Sequence, residues 1–530
     1  MVGGATAVLL AAATARRVDA QAVPPPPPRA RPTIDTIIVV NRNIFDLQED
    51  ASSFLARLAN RLHVRTHAGI IRRTLLVNPG EPYDSARIAE SERALRNLHV
   101  FSQERIDTTR LDGRLVLRVA TTDGWSTKPQ LGYTSAGGDV TWLAGVVEDN
   151  LLGTATQLVA VYNHTPDRNI FNLGYASPHF FSRRTQLQLV YNGKSDGKAG
   201  TWFLGAPFYE TAARHALAAD GAAADERVLV FKDADTAAIV FRRALAVGVT
   251  AGWAPHATTR DFIRLSASGR WRREDFAFTD ADPFPRSVFG TVGAGLDVGH
   301  VRFQVLERFN SYARREDVDV SQLLHFGVWA APRAWGYPDG AAGVGPEVSA
   351  QVAAPWAGGF ATLRVAGNGV FTSGRPDSGQ VSGAFTIASQ DLAPHTLILH
   401  VEAARQRRPK FGEQFDLWNT RNGPRLWGIH QFSGTQMLWL AFEDRVLVAD
   451  DAWGLMGIGV APFVDYGGAW YAGAEPARLG GDVGLSLRIG PTRAVRGDVA
   501  EIAFGYRFWR NGFVRPPGRW GLTIRKGVAY

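Results

Sequence analysis

The chain has 530 residues, a length that predicts either two or more domains or one very large sheet structure. It contains no cysteine, which excludes disulfides, thiolate metal sites, iron–sulfur clusters and cysteine nucleophiles. The composition is too apolar for a disordered chain, and 56 Gly, 29 Phe and 15 Trp against only 3 Met favour a β-rich fold. The net charge is +8, but the arginines are spread singly and form no basic cluster, so nucleic-acid binding is not expected.

The N-terminus has the pattern of a secretory signal. An apolar core from Gly3 to Ala15 is followed by the small-residue pattern Ala20-Gln21-Ala22, which predicts a signal peptide over residues 1–22. An Ala-rich tail is the alternative. The prolines at 24–28 predict a stiff, extended linker over residues 23–32.

After the signal, no stretch approaches the roughly 18 uncharged apolar residues that a transmembrane helix needs. Helical membrane spans are therefore not expected. An exported soluble protein and a transmembrane β-barrel both remain open, since a barrel hides its membrane signal by alternating lipid-facing and lumen-facing residues.

Residues 33–122 predict a small α+β domain. Ile37 to Val40 is typical of a strand, and residues 47–62 place apolar side chains on one helical face. A second helix is expected from the N-cap Asp84 to about Leu98. Two strands, near residues 100–106 and 115–120, are expected to follow, joined by a turn at Asp112-Gly113.

From Asp123 to Tyr530 the sequence alternates between apolar and small or polar residues. The apolar members of five such runs are Leu187, Leu189 and Tyr191; Leu245, Val247, Val249, Ala251 and Trp253; Leu397, Leu399, Val401 and Ala403; Val483, Leu485, Leu487 and Ile489; and Ile502, Phe504, Tyr506 and Phe508. A soluble sandwich would also alternate, but it gives no reason for Gly, Ser and Thr to recur opposite the apolar residues. A membrane barrel explains the pattern, because apolar residues face lipid and small or charged residues line the lumen.

Residues 75–101 resemble the region around the second helix of a polypeptide-transport-associated (POTRA) domain. The similar segments are Leu75-Leu76-Val77-Asn78-Pro79-Gly80-Glu81-Pro82-Tyr83-Asp84, Arg87-Ile88, Glu90 to Leu95 and Val100-Phe101. Within them the resemblance singles out Gly80, Tyr83, Asp84 and Leu95.

Two segments resemble motifs of the BamA/TamA superfamily of outer-membrane assembly and two-partner-secretion proteins. Glu148-Asp149-Asn150-Leu151-Leu152-Gly153 is similar to the "E-x-N-L-L-G" segment at the start of those barrels, and singles out Glu148, Asn150, Leu151 and Gly153. Phe463-Val464-Asp465-Tyr466-Gly467 is similar to the "F-x-D-x-G" motif of the barrel wall, and singles out Phe463, Asp465 and Gly467. With the POTRA-like segment, the resemblance covers most of residues 33–530.

A third motif of the superfamily departs from its pattern here. The resemblance implies a long loop folded into the lumen, whose "V/L-R-G-F/Y" tip places an arginine against the barrel-wall acid. The best positional match is Leu426-Trp427-Gly428, with Trp427 in place of the arginine, while Arg425 lies two residues before Gly428 and is a candidate to reach Asp465. Val495-Arg496-Gly497-Asp498 fits the letters better but is expected to begin a strand. If no arginine meets Asp465, the resemblance implies a barrel without assembly or secretion activity.

The expected fold is therefore mainly β: a transmembrane antiparallel β-barrel over residues 123–530, preceded by one POTRA-like domain. At about 25 residues per strand, the barrel is expected to have about 16 strands. The resemblance implies a periplasmic N-terminal domain that binds unfolded outer-membrane or secreted client polypeptides, and an outer-membrane barrel that inserts or passes them. Outer-membrane lipid and periplasmic accessory proteins are the other implied partners.

Three alternatives to an assembly factor stay open: a passive porin-like channel, a two-partner-secretion transporter and an outer-membrane enzyme. The channel would need no client-binding domain, so residues 33–122 speak against it. The one candidate catalytic motif, G-x-S-x-G at residues 193–197, is predicted to be a hairpin turn, because a nucleophile elbow needs a helix after it. No catalytic residue, cofactor or metal is expected, since the 12 histidines show no ligand spacing.

Overall fold

The structure is a computed structural model. It describes residues 32–45, 57, 60–61, 63–136, 139–279, 288–312, 316–337, 341–418, 423–453, 456–474, 476–492, 499–513 and 516–526. The predicted signal peptide at 1–22, the linker up to residue 31, most of the helix predicted at 47–62 and the segment 495–498 lie outside these residues.

The first described elements form a small α+β unit, which we call the N-terminal unit. Its elements are β1 (Ile34–Arg42), α1 (Ala68–Thr74), α2 (Ser85–Arg96), β2 (Phe101–Leu111) and β3 (Arg114–Asp123). They build a three-stranded sheet in the order β1-β3-β2, with β1 parallel and β2 antiparallel to the central β3. Both β1 and β2 are edge strands, so each has one side without a strand partner among the described residues.

Local sequence explains these elements. The helix predicted after Asp84 is confirmed, and the Asp84 carboxylate caps it by accepting hydrogen bonds from the backbone N–H groups of Ala86 (2.9 Å) and Arg87 (3.3 Å). The turn at Asp112-Gly113 is also confirmed: both residues have positive φ, as a tight hairpin requires. Helix α1 was not predicted, because seven residues including Gly69 are too few to show a helical period.

The remaining residues singled out by the POTRA resemblance belong to the same unit. Leu95 is fully buried in its core, and Tyr83 packs against that core. Gly80 has a φ of +89°, a left-handed conformation that favours glycine, and its N–H donates to the carbonyl of Ile34. These residues are therefore explained by the packing and the turns of the unit.

Within the described residues, 20 strands form a closed antiparallel barrel. In chain order they are β4 (Thr127–Ala136), β5 (Asp139–Glu148), β6 (Gln157–His164), β7 (Asn169–Ser177), β8 (Gln186–Lys194), β9 (Gly197–Ala206), β10 (His215–Lys232), β11 (Asp235–Ala257), β12 (Asp261–Ala277), β13 (Val288–His300), β16 (Gln322–Ala331), β17 (Gly343–Trp356), β18 (Gly359–Thr372), β19 (Arg375–Ser389), β20 (His395–Arg407), β23 (Gln436–Ala452), β24 (Met456–Trp470), β25 (Leu479–Pro491), β26 (Ala500–Asn511) and β27 (Trp520–Lys526). The first and last of these, β4 and β27, are neighbours and close the barrel.

The prediction of about 16 strands was wrong. It assumed about 25 residues per strand with long loops, whereas several hairpins turn in two residues, as at Ser195-Asp196 and Asp233-Ala234, and β4 to β9 have only 8 to 10 residues each. The same chain length therefore accommodates more strands. The hairpin predicted at 193–197 is confirmed, because β8 ends at Lys194 and β9 begins at Gly197.

The predicted alternation separates two faces of the barrel wall. In β11, Leu245, Val247 and Val249 are exposed on the outer face. In β25, Leu485 is exposed while Asp482 and Ser486 are fully buried on the inner face. In these runs the apolar residues therefore face outward and the small or charged residues face inward. None of the helices in the described part of the chain is long and apolar enough to cross a membrane.

Two segments fold into the barrel from opposite ends. The end that carries the N-terminal unit is called the proximal end. The described residues of 301–321 enter from the proximal end and are called the inner hairpin; they include the short strands β14 (Phe303–Leu306) and β15 (Glu316–Asp319). The described residues of 408–435 enter from the distal end and are called the lumen loop; they include β21 (Phe415–Leu417) and β22 (Phe432–Gly434).

A substitution at the N-cap of α2 tests whether Asp84 stabilises the start of this helix. Replacing Asp84 by Ala removes the acceptor for two helical N–H groups and should cost about 1 kcal/mol, which would speed hydrogen exchange at Ala86 and Arg87 about fivefold in the full-length protein. Ser85→Ala, at the adjacent exposed position, is the matched control and should leave exchange unchanged. Equal exchange in both variants would contradict the capping role.

Candidate functional site

The lumen loop is held to the barrel wall by Arg425. Its guanidinium donates to both carboxylate oxygens of Asp465, from Nε at 2.6 Å and from Nη2 at 3.0 Å. Its Nη1 donates to Glu501 at 2.8 Å and to Glu443 at 3.1 Å, and the group lies 4.0 Å from the ring centroid of Phe463. Arg425 and its three acidic partners are at most 1% exposed. One buried cation therefore binds three carboxylates that belong to three different strands.

The loop backbone adds further contacts to the wall. The N–H of Arg425 donates to Asp465 (3.1 Å), and the N–H of Leu426 donates to Asp482 (3.1 Å). The carbonyl of Leu426 accepts from Arg507 (3.0 Å), and the carbonyl of Arg425 accepts from Thr523 (3.2 Å). Each of the strands β24 to β27 therefore contacts Arg425 or Leu426, which are successive residues of the loop.

The charges of the wall are arranged by strand register. Asp465 of β24 pairs across the sheet with Asp482 of β25, which pairs with Arg507 of β26. A second row of inward-facing charges runs through Arg488, Glu501 and Arg525 of β25, β26 and β27. Since all of these face inward, sequence alternation already placed them in the lumen. Their clustering depends on register, which a single sequence does not reveal.

The structure corrects the register of the predicted loop motif. Trp427 does not occupy the place of the arginine; Arg425 does. Trp427 is fully buried beside Phe432 and Phe513, with ring centroids at 4.9 Å and 5.0 Å, and packs over Gly480. Leu426 packs with Phe463 and Gly428 is also buried. The four loop residues thus act together, with one charge and two apolar side chains fixing the loop.

The wall motif supplies the surface on which Arg425 rests. Phe463 and Asp465 point inward from β24, one below the guanidinium and one beside it. A Cβ atom on Gly467 would lie 2.1 Å from the carbonyl oxygen of Leu438 in β23, so only glycine fits at this position. Asp465 therefore supplies the acid, Phe463 supplies the ring, and Gly467 allows the close approach of β23.

The motif at the start of the barrel lies elsewhere, at the junction with the N-terminal unit. Asn150 donates to the carbonyl of Val64 (3.1 Å) and to the hydroxyl of Thr66 (3.0 Å). A Cβ on Gly153 would lie 2.5 Å from the carbonyl oxygen of Arg65. Within the turn, Glu148 accepts from the N–H of Asn150 (2.7 Å) and the N–H of Leu151 donates to the carbonyl of Thr156. This turn docks the N-terminal unit on the proximal rim.

The inner hairpin reaches the same charged cluster from the proximal end. Arg445, which is bonded to Glu443, also donates to the carbonyl of Phe309 in the hairpin. The hydroxyl of Tyr312 donates to the carbonyl of Arg488 (3.1 Å). At its other end, Asp317 of the hairpin pairs with Arg96 of α2 (2.5 Å). A chain of contacts thus runs from the N-terminal unit to the lumen cluster, and no sequence motif indicated it.

The distal part of the lumen loop is held by His430. Its Nδ1 lies 2.8 Å from Asp416 and its Nε2 lies 2.6 Å from Asp167, while its ring stacks on Phe231 at 3.4 Å. Burial opposes protonation of this loop residue, but the two carboxylates outweigh it and raise the pKa of His430 to about 9. His430 is therefore a cation at neutral pH and bridges the loop to the β6–β7 turn.

Among the described residues, no group of three or more His, Cys, Asp and Glu side chains could hold a metal ion. Ser195 of the G-x-S-x-G segment sits in the β8–β9 hairpin and accepts from the backbone N–H of Asn169 (3.2 Å). The lumen cluster is a structural ionic network around an inserted loop.

Three solved structures are similar to this chain. They are CdiB from Escherichia coli (10% identity, TM-score 0.48, covering 97% of this chain and 93% of that one), CdiB from Acinetobacter baumannii (10%, 0.41, 93% and 74%) and BamA from Haemophilus ducreyi lacking POTRA domains 1–3 (11%, 0.39, 93% and 84%). No protein-family model and no curated protein sequence matches the chain.

Removal of the central cation tests the loop anchor. Arg425→Ala leaves three buried carboxylates without their shared partner and should destabilise the folded barrel by about 3–5 kcal/mol, seen as a lower urea midpoint in detergent. Arg270→Ala is the control, because Arg270 faces the lumen from β12, pairs only with Asp220 and is partly exposed, so about 0–1 kcal/mol is expected. An equal loss of stability in the two variants would contradict the role of Arg425 as the anchor of the loop.

The pKa of His430 predicts how loop anchoring depends on pH. Because the folded pKa is raised from 6.5 to about 9, the stabilisation is complete below about pH 6.5 and is lost as the pH rises through about 9. Hydrogen exchange in β21 and β22 should therefore accelerate over this window, beyond the intrinsic pH effect. His430→Gln cannot titrate and should show weak anchoring at every pH; a pH-dependent difference that persists in this variant would contradict the assignment.

Proposed function

We propose that this protein is an outer-membrane assembly or translocation factor of the BamA/TamA superfamily. The proposed placement puts the apolar outer face of the barrel in the outer membrane and the N-terminal unit, as a POTRA domain, in the periplasm. The observation that supports it best is the contact of Arg425, on a loop inserted into the lumen, with Asp465 of the wall motif. This is the contact that the family resemblance implies.

The N-terminal unit supports a client-binding role. Its edge strands β1 and β2 offer backbone N–H and C=O groups to which an unfolded chain can add as a further strand. The unit is docked on the proximal rim through Asn150 and Gly153, so a bound client would lie beside the barrel. We propose that clients are unfolded outer-membrane or secreted polypeptides, aided by periplasmic accessory proteins.

The junction between β4 and β27 is the proposed place where clients enter the wall. Pro129 in β4 has no N–H to donate, and Gly521 in β27 has no side chain to pack, so both weaken strand pairing there. An opened junction would expose two strand edges that can template a client strand.

The rival interpretation as a passive channel is disfavoured by the two segments inserted into the lumen. The lumen loop and the inner hairpin enter the barrel from its two ends and meet the same buried charges. A permanently open pore would gain nothing from this network, whose burial has a high desolvation cost.

Proteoliposomes containing the purified protein test the proposed function. An unfolded outer-membrane barrel client should become membrane-inserted and protease-resistant faster than with empty liposomes, and deletion of residues 23–122 should return the rate to that of empty liposomes. Ser195→Ala, in a surface hairpin, is the matched control and should retain full activity. If the folded protein gives no acceleration, the insertion role is refuted and translocation of a dedicated partner becomes the function to test.

A further inference from the structure

A cavity of about 500 Å³ lies between the N-terminal unit and the proximal rim of the barrel. Helix α2 and the end of α1 form one wall; the β7–β8 and β9–β10 turns and the rim of β12 to β16 form the other. We call it the rim cavity. None of the sequence motifs described above lies in it apart from the POTRA-like segment that includes α2.

Five arginines line the rim cavity, Arg73, Arg93, Arg183, Arg184 and Arg264. Three of them, Arg93, Arg184 and Arg264, rest on aromatic rings. Arg184 lies 3.6 Å from the ring centroid of Tyr209, and Arg93 of α2 lies 4.7 Å from that of Phe303. Arg264 of β12 lies between two rings, 4.3 Å from Phe208 and 4.0 Å from Phe262. Stacking on a ring fixes the plane of a guanidinium and leaves the N–H groups at its edge available.

Arg93, Arg184 and Arg264 differ from Arg87 and Arg96 of the N-terminal unit in their partners. Arg87 and Arg96 pair with acids, whereas Arg93, Arg184 and Arg264 make no ion pair with a carboxylate of the described residues. Arg264 donates from Nη2 to two backbone carbonyls (both 3.1 Å), and its buried Nε has no partner among those residues. Burial lowers the pKa of Arg184 from its usual range, as it does for a poorly compensated cation. The cavity is thus cationic and apolar at once.

Three acids also line the cavity, and each has a contact of its own. One oxygen of Glu90 accepts from both the N–H (2.7 Å) and the hydroxyl (2.8 Å) of Thr211, and its other oxygen has no partner among the described residues. Glu210 lies 3.9 Å from Arg87, and Asp319 accepts from the N–H of Ser321 (2.9 Å). An added anion would therefore find unpaired guanidinium edges beside aromatic walls.

The position of the cavity decides between a lipid and a peptide as the source of that anion. In β12, Ile263 and Leu265 are exposed on the outer face, so the intervening Arg264 faces the lumen, away from lipid. The cavity also lies between the sheet proposed to bind clients and the barrel interior. A polypeptide passing from one to the other would meet it, whereas a bilayer lipid would not.

We propose that the rim cavity binds a carboxylate of an unfolded client polypeptide, from an acidic side chain or the chain terminus, together with an adjacent aromatic or large aliphatic side chain. Arg184, Arg93 and Arg264 hold the carboxylate, the rings take up the apolar neighbour, and the free oxygen of Glu90 accepts a backbone N–H. This rests on the proposed function and adds a chemical preference to it, since strand addition alone reads no side chain.

Calorimetry with full-length protein in a non-ionic detergent tests the proposal. The probes are two unstructured Gly-Ser peptides, amidated at the C-terminus, with one Phe-Glu or one Phe-Gln pair; a third carries Phe at a free C-terminus. The Phe-Glu peptide should bind about tenfold or more tightly than the Phe-Gln peptide, as expected for charge-assisted hydrogen bonds. Stronger binding of the third peptide would identify the chain terminus as the source of the carboxylate.

Arg184→Gln is the sharpest variant, because the guanidinium of Arg184 makes no hydrogen bond in the described structure that folding would lose. It should abolish most of the difference between Phe-Glu and Phe-Gln, and Arg264→Gln should do the same. Arg270→Gln removes an equal charge from the same strand, where Arg270 is already paired with Asp220 (2.6 Å), and should preserve the difference.

Equal affinity for the Phe-Glu and Phe-Gln peptides would overturn the proposal, as would an equal effect of Arg270→Gln, which would indicate long-range attraction only. Displacement of the peptide by dilute anionic phospholipid but not by acetate would assign the cavity to lipid and overturn it too. The proposed function fails separately: a protein that discriminates the peptides but does not accelerate client insertion would retain the rim site and lose the assembly role.

Discussion

The structure depends on a buried arginine that must satisfy three carboxylates at once. Arg425 is the only side chain of the described lumen loop that reaches Asp465, Glu443 and Glu501, which lie on β24, β23 and β26. Buried acids without a cation would be costly, and a buried cation without acids equally so. The loop and this part of the wall therefore stabilise each other, and neither is expected to keep its arrangement alone.

This constraint connects both ends of the molecule. On the distal side, His430 holds the loop to the β6–β7 turn through Asp167. On the proximal side, Arg445 joins the cluster to the inner hairpin, and Asp317 joins the hairpin to α2 of the N-terminal unit. A client that displaces the N-terminal unit would thus disturb contacts leading to the loop anchor. The rim cavity lies beside this route, where a client could be held before it reaches the barrel.

Much of this architecture could be predicted from sequence, since alternation in runs such as Val483 to Ile489 separates outer from inner faces. The strand number could not, because it depends on turn lengths that alternation does not specify. The motif letters aligned Trp427 with the arginine, which was wrong, whereas the candidate contact of Arg425 with Asp465 is confirmed. What decides the register is an aromatic pocket that includes Phe513, distant in sequence, which accepts Trp427 and directs Arg425 to Asp465. The clustering of Glu443, Glu501 and Arg525 could not be predicted, because it depends on which strands pair and in which register.

The most direct test of the central claim is the conductance of single molecules in planar bilayers. If Arg425 holds the lumen loop across the barrel interior, the unaltered protein should show little steady conductance. Arg425→Gln should then open the lumen to ions, while Arg270→Gln, which also removes one lumen charge, should stay closed. A large, steady conductance in the unaltered protein, unchanged by Arg425→Gln, would contradict the account and favour a passive channel.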